Sequence, residues 1–232
     1  SFDSMNGKAT YKTKIIADKR YTHLISNGNI AQEGEENGKK TITYVNEDVP
    51  MAPYLFFLGV GTWKETNREL EYANGKKFNL QMLTLENATT DATNKSLEIL
   101  AFGVQWINIF TGAKRHKDIA KRKEIFDLCF LRDKLKAQGK EKEFQEAQSE
   151  LVKLSKGVVF GYEYSGDVYR EIAMQNSNFG GMENVGNTTI TANRMLPFKE
   201  MSDRVFSYLL NVKTHEFYHN LNGSEVTGRS PF

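Results

Sequence analysis

Residues 10–18, TYKTKIIAD, alternate Tyr11, Thr13 and Ile15 with Lys12 and Lys14. That two-residue period predicts a strand with one buried face. SNGN at 26–29 and ENGKK at 36–40 supply turn residues, and TITYV follows directly, so the pattern predicts a β-meander. MAPYLFFLGVGTW at 51–63 reads as one fully buried strand, with Pro53 near its start where a missing N–H costs least. NGKK at 74–77 marks another hairpin turn before FNLQMLTL. Every element expected up to about residue 85 is a strand.

The period lengthens in TTDATNKSLEILAFGVQWINIF, 89–110, where Thr, Asp and Asn offer caps and Leu97, Leu100, Ala101 and Trp106 recur at helical spacing. Residues 113–157 hold 13 Lys/Arg and 8 Asp/Glu, broken by QGK at 138–140, and the second half carries Phe144, Ala147, Leu151 and Leu154 on one stripe. This predicts a helical hairpin. Acids interspersed in its basic run KRHKDIAKRK make that run a solvated helix face rather than a nucleic-acid patch. Strand patterns return in GVVFGYEY and GDVYREIAM, then come the glycine-rich NFGGMENVG and the β-branched NTTITAN. A last helix is expected from about Met201, capped by Ser202 or Asp203, through RVFSYLLNVKTHEFYHNL. The change of period divides the chain near residue 68, into β-structure at 1–68 and a mixed α and β unit at 69–232.

With 232 residues, 39% of them hydrophobic, there is material for a real core. Thirty-one basic against 29 acidic residues leave a net charge of +2, which gives no reason to expect nucleic acid or an anionic membrane as a partner. PYLFFLGVG at 53–61 is too short to span a bilayer. A single cysteine, Cys129, fits a reducing compartment, so a cytoplasmic location is expected. The opening SFDSMNG, without an initiator methionine, is expected to mark a processed chain or an excised piece.

Chemistry concentrates in HEFYH, 215–219. On a helix His215 and His219 stand at i and i+4, so their imidazoles project from one face about 6 Å apart and can meet one zinc ion. Glu216, one residue round, can reach a water at that ion and take its proton as general base. Upstream, GGMEN at 180–184 combines glycines that let a peptide backbone approach with Glu183, a carboxylate suited to an ammonium group.

GGMEN followed by a strand, a loop and a helix bearing HEFYHNLNGSEVT resembles the aminopeptidase N family of zinc metallo-aminopeptidases, gluzincins with a G-x-M-E-N motif ahead of H-E-x-x-H. KTKIIADKRYTHLISNGN and YLFFLGVGTW are similar to the last strands of that family's N-terminal β-domain, and SFD at 1–3 resembles a segment in its middle, although SMNG follows in place of the usual acid and proline. The resemblance covers residues 1–85 and 158–232 and leaves 113–157 as an insertion. It implies an α+β fold: the end of an all-β N-terminal domain, then the first part of a thermolysin-like catalytic domain. It also implies an enzyme hydrolysing the N-terminal peptide bond of peptides with a free N-terminus. The roles it implies are His215 and His219 as zinc ligands, Glu216 as general base, and Glu183 on the substrate's α-amine. Gly181 and Met182 would lie along the substrate backbone, and Phe179 would line the pocket for its first side chain. The family's third ligand, a Glu, is expected beyond Phe232, its transition-state Tyr further on, and another amine-contacting residue before Ser1. The chain is thus expected to be an internal slice, inactive alone, that self-associates or binds a second chain carrying the remainder. Two other readings are a non-catalytic aminopeptidase-like scaffold for protein association, disfavoured by the intact HEFYH, and another metallohydrolase such as an endopeptidase, disfavoured by Glu183.

Overall fold

The computed structural model describes residues 7–175 and 180–221. SFD and Phe179 lie outside the described residues. Ala9–Ala17 (β1), His23–Ser26 (β2), Asn29–Glu36 (β3) and Lys39–Met51 (β4) open the fold. They do not form a meander. β4 lies between β1 and β3, while β2 leaves this sheet and pairs with Leu58–Gly61 (β5). The reason is that β2 is apolar on both faces. Leu24 packs with Ile15, Ile42 and Tyr44, whereas Ile25 packs with Leu83 and Ile172 of the second sheet. β2 therefore sits between two layers, where a member of a one-sided sheet could not. The β3–β4 turn is as expected: Asn37 and Gly38 have φ of 50° and 76°, the two left-handed residues of a tight hairpin.

Residues 51–63 are not one buried strand. Pro53–Leu55 form a 3-10 turn, with proline in its first position, and β5 is short with Leu58 57% exposed. Residue 68 falls inside Lys64–Glu71 (β6), which pairs along its whole length with Lys77–Thr84 (β7). These two begin a five-stranded sheet of order β6-β7-β8-β10-β9, completed by Val168–Met174 (β8), Gly181–Met182 (β9) and Asn187–Thr191 (β10). β7, β8 and β10 run parallel, and the outer strands β6 and β9 are antiparallel to their neighbours.

Thr90–Phe110 (α1) and Asp203–His219 (α4) supply the helical side of this sheet's core. Thr89 caps α1, its side chain accepting from Ala92 N. Leu97, Leu100, Ala101 and Val104 are buried against Leu80, Met82 and Tyr169, but Trp106 is 46% exposed and stacks on Phe110 instead of entering the core. α1 and α4 approach closely: a Cβ on Gly103 would stand 2.3 Å from Thr214 Oγ1. Ile119–Ala137 (α2) and Glu141–Ser155 (α3) form the expected hairpin, with Ala147 and Leu151 buried. Its basic run is not wholly solvated. Arg122 is fully buried, donating to the carbonyls of Ile109, Ala113 and Val159 and to Asp118, and so fastens α2 to the end of α1. Arg132, also buried, donates to the carbonyls of Glu71 and Tyr72. GVVFGYEY joins no sheet. Its backbone is satisfied by other groups: Gly161 N donates to Asn108 O, Tyr162 O accepts from the Asn108 amide and Tyr164 N donates to the Tyr72 hydroxyl oxygen, while Tyr162 and Tyr164 enter the core.

One ion pair lies wholly inside this layer: Lys213 of α4 and Glu171 of β8 are bonded and 0% exposed. A buried charge stripped of its partner costs far more than the intact pair contributes. Lys213→Met should therefore lower unfolding free energy by about 3–5 kcal/mol. The double replacement Lys213→Met/Glu171→Leu should recover most of the loss, and urea unfolding of the three proteins measures both effects.

Candidate metal and peptide site

The site is built where α4 ends against the edge of the five-stranded sheet. Ser202 starts the helix, its hydroxyl accepting from Val205 N, and Asp203 adds negative charge to the first turn. Phe217 fixes the other end, its ring among Phe78, Tyr162, Tyr164 and Tyr169 with centroids 5.1–6.5 Å away. With Phe217 turned into the core, Glu216 is buried beside it, His219 is half-buried and His215 faces outward. The Nε2 atoms of His215 and His219 stand 2.9 Å apart.

β9 carries the first part of GGMEN as an edge strand, Gly181 opposite Ile190 and Met182 opposite Thr189. It lies directly against the helix. A Cβ on Gly181 would come within 2.7 Å of Glu216 Oε1, so any side chain there would displace the carboxylate. The next residues are held by amides. Asn184 donates to Phe56 O, Asn27 to Val185 O and Leu55 O, and Asn187 to Ser26 O, while Gly186 N donates to Asn220 at the end of α4. Asn27 also accepts from Phe57 N. The turn that places Asn27 needs Gly28, at φ +91°, because a Cβ there would lie 2.1 Å from Val45 O.

The structure brings Glu183, Glu216 and His219 together, one ligand atom from each lying within 4.8 Å of the others. His215 joins through His219. Gly181 and Met182 line the open edge, and Phe179 is outside the described residues. Burial is the main cause of a Glu216 pKa raised to about 7, and the nearby carboxylates of Glu183 and Glu171 add to it. Burial also holds His219 below its ordinary value, reinforced by His215 and opposed by Glu183, which favours the neutral imidazole that metals bind.

These residues fit a zinc ion. Two tetrahedral ligands about 2.05 Å from zinc stand about 3.3 Å apart, close to the separation of the two Nε2 atoms. Oε2 of Glu216, 7% exposed as a residue, is buried without a hydrogen-bond partner, as a carboxylate set to receive a water's proton would be.

Sequence reasoning did not single out Asn27, Asn220 or the Lys213–Glu171 pair. Asn27 sits in SNGN, where turn chemistry alone explains an asparagine. Lys213 carried a usable signal, since it is three residues before Glu216 and so shares the helix face that α4 must bury.

The chain is similar to known peptidases. The model of the peptidase family M1 domain matches residues 145–230. Aminopeptidase N of Escherichia coli (strain K12) is 25% identical over 227 residues, covering 97% of this chain and 20% of that protein. Aminopeptidase N of Caulobacter vibrioides is 25% identical over 223 residues, with 96% and 20% covered. Among solved structures, Legionella pneumophila aminopeptidase A in complex with aspartic acid shares the fold with a TM-score of 0.67 at 21% identity, over 96% of this chain and 20% of that one. The chain thus spans about a fifth of the length of these relatives, and its similarity to them is to peptidases of the aminopeptidase type.

Proposed function

We propose that this chain carries the metal-binding and amine-binding part of a zinc-dependent aminopeptidase that removes the first residue of peptides. The observation that carries this reading is the convergence of Glu183 on the Glu216 and His219 end of α4, beside an open sheet edge. A peptide added to β9 in extended form would bring its N-terminal ammonium to Glu183. Its first peptide bond would then lie near Glu216, since amine and scissile carbonyl are separated by one residue. Glu216 takes the proton of the attacking water and delivers it to the leaving nitrogen, a task for which a pKa near neutrality is well matched. His215 and His219 would hold the zinc, which when bound polarises the carbonyl and acidifies the water. A ligand outside the described residues would complete the set of three that catalytic zinc sites use. The division at residue 68 into a β-domain and a catalytic unit belongs to the same proposal.

Two outcomes follow. Assayed in the whole enzyme, Glu183→Gln should raise KM for aminoacyl reporters far more than it lowers kcat, while Glu216→Gln should lower kcat by at least about 1000-fold. Cleavage of N-acetylated reporters at the rate of free-amine reporters would refute the exopeptidase reading.

The second outcome concerns stability in chelator-treated chain. Because the folded-state pKa of Glu216 is raised, folding binds a proton there, so its contribution is most favourable below about pH 4.5 and is lost as pH rises through about 7. Glu216→Gln removes that dependence and should stabilise the chain at pH 8 by up to about 3 kcal/mol, with little gain at pH 5. Thermal or urea unfolding at the two pH values measures the difference.

A further inference from the structure

The convergence at the end of α4 contains a second set of donors that shares only His219 with the histidine pair. We infer that Glu183, Glu216 and His219 form a cation position of their own, overlapping the zinc position and excluding substrate when filled. Their three ligand atoms already lie within 4.8 Å of one another. Three ligands about 2.1 Å from one ion stand about 3.6 Å apart when spread evenly around it, so the triangle closes with a contraction of up to about 1.2 Å. One of its donors asks for a partner independently of the clustering: Glu216 is more than nine-tenths buried, and its Oε2 has no hydrogen-bond partner.

Charge distinguishes the two positions. A divalent ion held by two imidazoles keeps its full charge next to a buried helix end. Held by two carboxylates and one imidazole, it is neutralised, which lowers the cost of placing it against Glu216's apolar surroundings. Two oxygens and one nitrogen also suit a harder ion such as Mn²⁺, whereas imidazole pairs favour zinc. Both positions need His219, so they compete for it. The consequence for function rests on the roles proposed above: an ion in the triangle occupies the base and the amine anchor at once. The α-ammonium of a substrate and this ion would then be rivals for Glu183.

Binding of Mn²⁺ alone to the 232-residue chain, followed by loss of the free-ion resonance signal, tests the position without any turnover. Wild type and His215→Ala should bind Mn²⁺ with affinities within about threefold, because His215 is not a donor. Glu183→Gln and Glu216→Gln should each weaken it by about tenfold or more. Leucinamide should displace the ion and N-acetyl-leucinamide should not. Circular dichroism establishes that each variant is folded, and His215→Asn replaces the alanine variant if that one is not. Failure of wild type to bind millimolar Mn²⁺, or an affinity that falls with His215→Ala and is untouched by Glu183→Gln, would overturn the inference. Because those results report on Mn²⁺ alone, they leave the zinc aminopeptidase reading to be judged by its own assays.

Discussion

The site depends on one docking seam, centred on the amide of Asn27, which is buried between the β-rich start of the chain and the loop that follows Glu183. Its side chain donates to Val185 O and Leu55 O and accepts from Phe57 N, so one residue joins three backbone segments. Asn184 and Asn187 repeat the device across the same seam, bonding Phe56 O and Ser26 O. Side chains that both donate and accept can satisfy irregular backbone where no ladder is possible, and in a buried seam each such bond is costly to lose. The loop after Glu183 is therefore set by contacts about 130 to 160 residues away in sequence. The other half of the site is tied to the same seam, since Asn220 at the end of α4 accepts from Gly186 N.

Beneath this seam, the sheet and helix combine rigidity with unfavourable electrostatics. Phe217 in its aromatic pocket and the close contact at Gly103 leave α4 little freedom to rotate. That rigidity keeps Glu216 buried next to Glu183 and Glu171, an arrangement a freer helix would relieve by turning its carboxylate to water. The packing of residues that do no chemistry therefore sustains the raised pKa of the one that would.

Much of this was legible in the sequence where one local rule sufficed. The Asn37–Gly38 hairpin, α1 with its Thr89 cap, the α2–α3 hairpin around Gly139 and the Ser202 cap of α4 each follow from nearby residues. The pairing of HEFYH with GGMEN was also readable, because both motifs name their chemistry. What misled were features decided at long range. An apolar run at 51–63 fits a buried strand equally well as a turn and a short edge, and burial of β2 on both faces shows only when two sheets are present. GVVFGYEY has a strand's composition, but its backbone partners come from α1 and Tyr72. Arg122 and Arg132 look solvated in a charged run, and only the fold provides the carbonyls that let them be buried.

The two-residue edge at Gly181–Met182 has a consequence for selectivity. If a peptide adds to β9 as proposed, the edge would read it through its backbone, as an extended chain of N–H and C=O groups and not a particular side chain. Proline is the one residue that breaks this rule, because its nitrogen carries no hydrogen and its ring fixes φ. A peptide with proline at the position that must donate to this edge would lose a bond that every other residue makes. The shortness of β9 then makes the loss decisive, since few other backbone bonds are available to compensate. Broad tolerance of side chains and discrimination against an early proline would arise from the same two residues.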